Sequence, residues 1–210
     1  MVEEIRIYVE GGGDRADSKA AIRAGFGQFL RPLVQRARAR GVRWQLVACG
    51  SREATFRDYR FGLRSHPEAF NVLLVDSESR VEAPPWEHLR RLAGWEPPAS
   101  DDRQCHLMAQ VVEAWLTSDE TALERYYGQG FLGNALPRHT DIEAVEKQRL
   151  LDALDHATRG TQKGKYRKIA HCSELLALID PATVRERAAH CDRLFQILTA
   201  LIDDTPPQRA

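Results

Sequence analysis

No apolar run in this chain approaches the roughly 18 residues of a membrane-spanning helix, so no membrane partner is expected. The stretch Met1-Val2-Glu3-Glu4 has neither a basic n-region nor an apolar h-region, which makes cytoplasmic residence the expectation. Cysteine is scarce. Cys49, Cys105, Cys172 and Cys191 lie far apart without a C-x-x-C pair, which argues against a zinc ribbon or a disulfide framework and leaves reduced, mostly buried thiols. The dipeptides His171-Cys172 and His190-Cys191 could supply four zinc ligands, but adjacent residues rarely serve as a ligand pair, and both cysteines fit apolar helix faces. Net charge is also missing: 30 basic side chains meet 30 acidic ones, so any nucleic-acid contact must be local. The Walker A spelling G-x-x-x-x-G-K-[ST], internal repeats and low-complexity blocks are all absent.

What the chain does contain is two apolar segments that end on carboxylates. Ile5-Arg6-Ile7-Tyr8-Val9-Glu10 runs into Gly11, Gly12 and Gly13, and Phe70-Asn71-Val72-Leu73-Leu74-Val75 runs into Asp76-Ser77-Glu78. The second is apolar nearly throughout, the pattern of a central parallel strand covered on both faces. In open α/β sheets ligands bind beyond the carboxyl ends of the strands. Two strands delivering acids there point to a divalent-metal site built from Glu10, Asp76 and Glu78. If strand geometry persists through Asp76-Ser77-Glu78, residues two apart project to one side and both carboxylates aim at one ion. Mg²⁺ suits such a site, because it takes one or two carboxylates and keeps waters that phosphate oxygens can replace. Gly11 to Ala16 also satisfies a permissive G-x-G-x-x-A spelling. A dinucleotide site is disfavoured, because Glu10 would face the pyrophosphate and no acid ends the second strand at Ala48-Cys49-Gly50.

Taken in order, the pattern predicts a helix capped by Asp17 or Ser18, with apolar positions from Ile22 to Ala37, a bend at Pro32 and an end at Gly41. Gly25 and Gly27 within it suggest close approach to the sheet or to something bound. A second strand over Val42 to Ala48 and a helix with Phe56, Tyr59 and Leu63 on its buried face complete two βαβ units. A loop insertion at about 79–100 carries a short helix from Trp86 to Ala93, and a fourth strand is expected within His106 to Gln110. Val111 to Leu116 reads equally as its continuation or as a helix. Beyond Asp119 the chain reads as helical: one helix marked by Ile142, Val145, Leu150, Leu151 and Leu154, another from Ile169 to Ile179, and a last one opened by Asp180-Pro181 whose stripe runs from Val184 to Leu201. The expected division is an α/β core over 1–118, a helical C-terminal extension over 119–203 packed on it, and a flexible tail over 204–210.

Two further groups qualify as site candidates. Glu113, in an apolar stretch, is costly to bury without a partner or a metal, or is an ordinary half-exposed helix acid. Lys163, Lys165, Arg167 and Lys168 crowd around Tyr166, a pattern suited to phosphates with one aromatic for stacking, or simply to a solvated loop. Arg15 and Lys19, after the glycines, are weaker candidates for phosphate contact.

Four segments carry a resemblance over most of the chain: Tyr8-Val9-Glu10-Gly11, Leu74-Val75-Asp76-Ser77-Glu78, Val112-Glu113-Ala114-Trp115-Leu116 and Lys163-Gly164-Lys165-Tyr166-Arg167-Lys168. Together they resemble the TOPRIM domain of topoisomerases, primases and overcoming-lysogenization-defect nucleases, and more closely a bacterial TOPRIM-like family of unknown function associated with defence. The resemblance implies an open, mainly parallel sheet with helices on both faces. It also implies Mg²⁺-dependent phosphoryl transfer on DNA or RNA in antiphage or plasmid defence, with Glu10 as general acid/base and Asp76 and Glu78 as metal ligands. An ATPase partner is part of that expectation, and self-association is possible. Glu78 stands where many TOPRIM domains have aspartate; its longer side chain admits Mn²⁺ and leaves open whether one metal or two bind. The rival expectations are a catalytically silent regulatory subunit that binds an ATPase or another copy of itself, and a module that senses a nucleotide without cutting.

Overall fold

The computed structural model describes residues 2–98 and 100–206. The chain runs β1 (Glu4–Glu10), α1 (Ala16–Phe29), α2 (Arg31–Ala39), β2 (Arg43–Gly50), α3 (Arg52–Ser65), β3 (Phe70–Asp76), α4 (Pro85–Ala93) and β4 (Cys105–Met108). It continues through α5 (Glu113–Ser118), α6 (Glu120–Tyr127), α7 (Lys147–Thr158), α8 (Lys168–Leu176), α9 (Pro181–Arg187) and α10 (Ala189–Asp203). The strands form one parallel sheet in the order β2-β1-β3-β4. The chain leaves β1 toward β2 and returns past it to β3, so strand order reverses between β1 and β3. That is the position at which an open α/β sheet offers a crevice.

Alternation along β1 sorts the two faces. Ile5, Ile7 and Val9 join Phe26, Leu33, Trp115 and Leu198 in one hydrophobic cluster, whereas Tyr8 joins Tyr59, Leu73, Trp86 and Leu89 in a second. Helices α3 and α4 therefore cover one face, and α1, α2, α5, α8 and α10 the other. The C-terminal helices share the larger cluster with the sheet instead of forming a core of their own. Among the described residues no helix is long and apolar enough to cross a membrane.

Several expected elements shift. The helix expected from Asp17 to Ala37 is two helices: the break falls at Leu30, and Pro32 sits in the first turn of α2, where its missing N–H costs nothing. Its N-cap is Arg15 and makes no side-chain cap bond, so neither Asp17 nor Ser18 caps it. Gly25 does permit a close approach, but to α8 and not to the sheet: a Cβ there would lie 2.5 Å from the Ser173 carbonyl oxygen. Gly27 has open space around it. Ile142 and Val145 are buried, yet they belong to a 3₁₀ turn over Ile142–Ala144 and its end, and the helix begins only at Lys147. The last expected helix breaks at Ala188 into α9 and α10, with Asp180 capping α9 by accepting from the Ala182 N–H at 3.0 Å. Part of the stretch expected to be a tail is described. Thr205 is buried, and its hydroxyl accepts from the Val2 N–H, while residues 207–210 lie outside the described residues.

Candidate metal centre

Glu10 ends β1 at a register shift, where it pairs with Gly50 instead of Cys49. The chain then turns sharply through Gly11, Gly12 and Gly13, all at positive φ. Gly12 must be glycine for a second reason: a Cβ would lie 2.9 Å from the Lys19 Cα and the Ser18 carbonyl oxygen. The loop is thereby pressed onto the first turn of α1, leaving Glu10 facing β3. There the Asp76 N–H donates to Glu10 Oε2 at 3.1 Å.

Asp76 closes β3 and is 1 % exposed. Its Oδ1 accepts from the Val112 N–H at 2.8 Å, and its Oδ2 accepts from Lys168 Nζ at 2.8 Å. Strand geometry does not persist to Glu78 as the D-x-E reading expected, since β3 ends at Asp76 and Glu78 has φ 63°. A left-handed glutamate costs about 1–2 kcal/mol. It is held there by its N–H donating to the Gln110 carbonyl at 2.8 Å. The turn nonetheless returns the side chain to its neighbours, and Glu10, Asp76 and Glu78 each present an oxygen within 4.8 Å of the others. Three convergent carboxylates, one buried, form a donor set that fits a hard divalent cation.

Glu113 is not one of the grouped carboxylates. Fully buried, it accepts from the Tyr166 hydroxyl at 2.9 Å and lies 3.6 Å from Lys168 Nζ, its Oε2 otherwise without a hydrogen bond. It anchors the lysine. The Tyr166 hydroxyl is thus committed to Glu113, and its partly buried ring packs against the larger hydrophobic cluster. Of the four basic residues around it, only Lys168 reaches the acids. Lys163 lies over the Tyr126 ring at 4.4 Å, Lys165 is 3.9 Å from Asp155, and Arg167 is exposed and caps α8 through its backbone. Arg15 pairs with Asp17 in solvent. The two His-Cys dipeptides do not converge: His171 bonds the Tyr127 hydroxyl and His190 pairs with Glu143, and among the described residues the grouping of potential metal ligands is the acidic one.

One participant escapes a reading of the sequence. Lys147 pairs with Glu78 across 69 residues of chain. Its one local signal is its position as the first residue of α7, where a cation opposes the helix dipole and needs another reason to be there.

Electrostatics follow from this crowding. Burial first, and then the Asp76 carboxylate, push the Glu10 carboxyl from 4.5 up to about 7, against the Asp76 N–H and the charges of Lys168 and Arg52. Burial likewise raises Asp76, opposed chiefly by Lys168. Desolvation works against the Lys168 ammonium, but Asp76 and Glu113 outweigh it and hold the group above its ordinary value. A raised carboxyl takes up its proton more readily folded than unfolded, so the contribution of Glu10 to stability falls as pH rises from about 4.5 through about 7. Glu10→Gln should therefore melt above the parent in chelator at pH 8, by roughly 2–4 °C for about 1 kcal/mol, and level with it at pH 5. Equal melting at both values would mean that the cluster carries no repulsion to relieve.

A cavity of about 370 Å³ opens beside the cluster, with Glu10, Asp76 and Lys168 on one side and the Gly11–Gly13 turn on another. Comparison with known proteins adds one match. The profile of a family described as a domain of unknown function (DUF4276) covers residues 9–199. No curated protein and no solved structure matches the chain.

Proposed function

The chain belongs to the DUF4276 family, and we propose that it is a metal-dependent phosphoryl-transfer enzyme, a TOPRIM-like nuclease acting on DNA or RNA. The observation that carries this reading is the convergence of Glu10, Asp76 and Glu78 within 4.8 Å at the reversal point of the sheet. Mg²⁺ or Mn²⁺ held by these acids would polarise a phosphoryl oxygen as a Lewis acid. The remaining work falls to the chain. Lys168, fixed between Asp76 and Glu113 on the cavity wall, offers a cation to a phosphate oxygen. Glu10, held beside Asp76 at the end of β1, is placed to accept a proton from an attacking water or return one to a leaving oxygen. A role in antiphage or plasmid defence beside an ATPase is the biological setting proposed with it, on the strength of the TOPRIM-like motifs.

A second reading, a catalytically silent subunit that binds such a partner, draws support from the lysines. Lys147 and Lys168 pair with two of the three acids, Glu78 and Asp76, so the cluster already carries counter-charges of its own. Incubation with end-labelled single- and double-stranded DNA and RNA in Mg²⁺ or Mn²⁺ separates the two. Nuclease action predicts cleavage that chelator abolishes and that Glu10→Gln lowers by roughly 10²-fold or more, the usual weight of a general acid/base. Cleavage undiminished in that variant would sink the assignment. No cleavage of any of the four substrates would favour the silent subunit.

A further inference from the structure

Glu10 and Asp76 are a minor part of the cavity lining. Much of the rest is apolar: Ile22, Phe26, Val112 and Cys172 line it, all of them buried, and Ile169, 67 % exposed, marks its mouth. A site that met only the phosphate backbone of a passing duplex would need a charged surface and no such chamber. Its volume of about 370 Å³ lies at the small end of ligand pockets, which run from about 300 to 1,000 Å³, a size for one small ligand and far short of a duplex. Ser51 and Asp14 add a hydroxyl and a carboxylate to the lining, groups suited to sugar hydroxyls or a base edge. The glycine turn presents bare backbone along one wall, so a ligand can approach it closely.

We propose that this cavity is a nucleotide pocket. It takes one nucleotide unit with its phosphate toward Lys168 and the cation that Glu10 and Asp76 would hold, and its sugar and base against the apolar walls, so the substrate is a single-stranded or unpaired end and not the interior of a duplex. The inference rests on the phosphoryl-transfer reading for its substrate class and extends it by saying which part of the substrate enters. A pocket that encloses a base of a duplex requires that base to leave the stack first, which an unpaired end makes unnecessary.

Calorimetry of the full chain with adenosine 5′-monophosphate and with inorganic phosphate, in saturating Mn²⁺ and again in chelator, tests the pocket. The nucleotide should bind more tightly than phosphate by on the order of tenfold, the gain from covering a nucleoside with apolar walls. Ile169→Trp, at an exposed position that tolerates bulk, and Ile22→Phe, which fills the chamber from within, should each reduce that advantage to less than about threefold while Mn²⁺ and phosphate binding stay at parental levels. Equal affinity for nucleotide and phosphate, absence of binding by either, or an advantage that survives both variants would overturn the pocket. The metal reading fails separately. A protein that binds no Mn²⁺ yet prefers the nucleotide through Ile169 keeps the pocket and loses the metal, and one that binds Mn²⁺ without the preference does the reverse.

Discussion

Titrated with Mn²⁺ at pH 8, Asp76→Asn is expected to lose metal affinity by roughly 100-fold or more, since it removes a charged ligand from a site that has few. Asp76 is the pivot of the cluster by geometry. Its backbone N–H fixes Glu10, its Oδ1 is fixed by Val112, and its Oδ2 draws Lys168 across from the C-terminal half. Asparagine keeps the shape and the bond from Val112 but not the charge, so the loss reports electrostatics and not collapse. Working at pH 8 matters, because a Glu10 carboxyl near 7 is ionised there and half-protonated one unit lower. Below 7 the parent should bind Mn²⁺ progressively more weakly and release a proton on binding. Lys147→Ala moves the other way. With its ammonium gone, Glu78 is free to turn to the ion, and affinity should rise by a few-fold, about 1 kcal/mol, the scale of a partly exposed ion pair. An Asn variant that binds Mn²⁺ like the parent would place the ion elsewhere or nowhere.

The strand-end acids were legible because each closes a short apolar segment, and strand period with a terminal carboxylate is a local pattern. Their convergence was legible for the wrong reason. The D-x-E alternation assumed that β3 runs on, whereas Glu78 comes back through a left-handed turn that no spacing announces. Helix breaks escaped for a related reason. The stripe from Val184 to Leu201 stays in phase across Ala188 because α9 and α10 bury residues in one cluster, and periodicity reports burial and not continuity. The basic loop shows the limit most plainly. Lys163, Lys165 and Lys168 are equivalent in sequence, but the start of α8 aims only the last at Asp76, a direction set by how closely Gly25 lets α8 approach α1.

Trp115→Ala should cost about 3–5 kcal/mol, the range for deleting a buried tryptophan or phenylalanine side chain, and lower the melting temperature by roughly 6–20 °C. Trp115 is wholly buried. It stacks on Phe29 at 5.4 Å and meets Phe26 edge-on at 6.5 Å, while Phe29 reaches Phe195 of α10 at 5.8 Å. Trp115 thus ties the site segment to helix α1, and through Phe29 to α10, and alanine would leave a void that none of these can fill without moving. Trp115→Phe should cost much less, since it keeps most of the ring and removes an indole N–H that is buried without an acceptor. The site should feel the alanine change as well, because Val112 and Glu113, which position Asp76 and Lys168, lie within the turn that Trp115 anchors. Adding Mn²⁺ separates stability from geometry. At 100 times its dissociation constant a ligand of the folded state contributes about 2.7 kcal/mol, so a variant whose site survives should gain on melting as much as the parent does. A smaller gain would show that Trp115 holds the acids in place as well as the core, and melting within about 2 °C of the parent would mean the cluster repacks around the void.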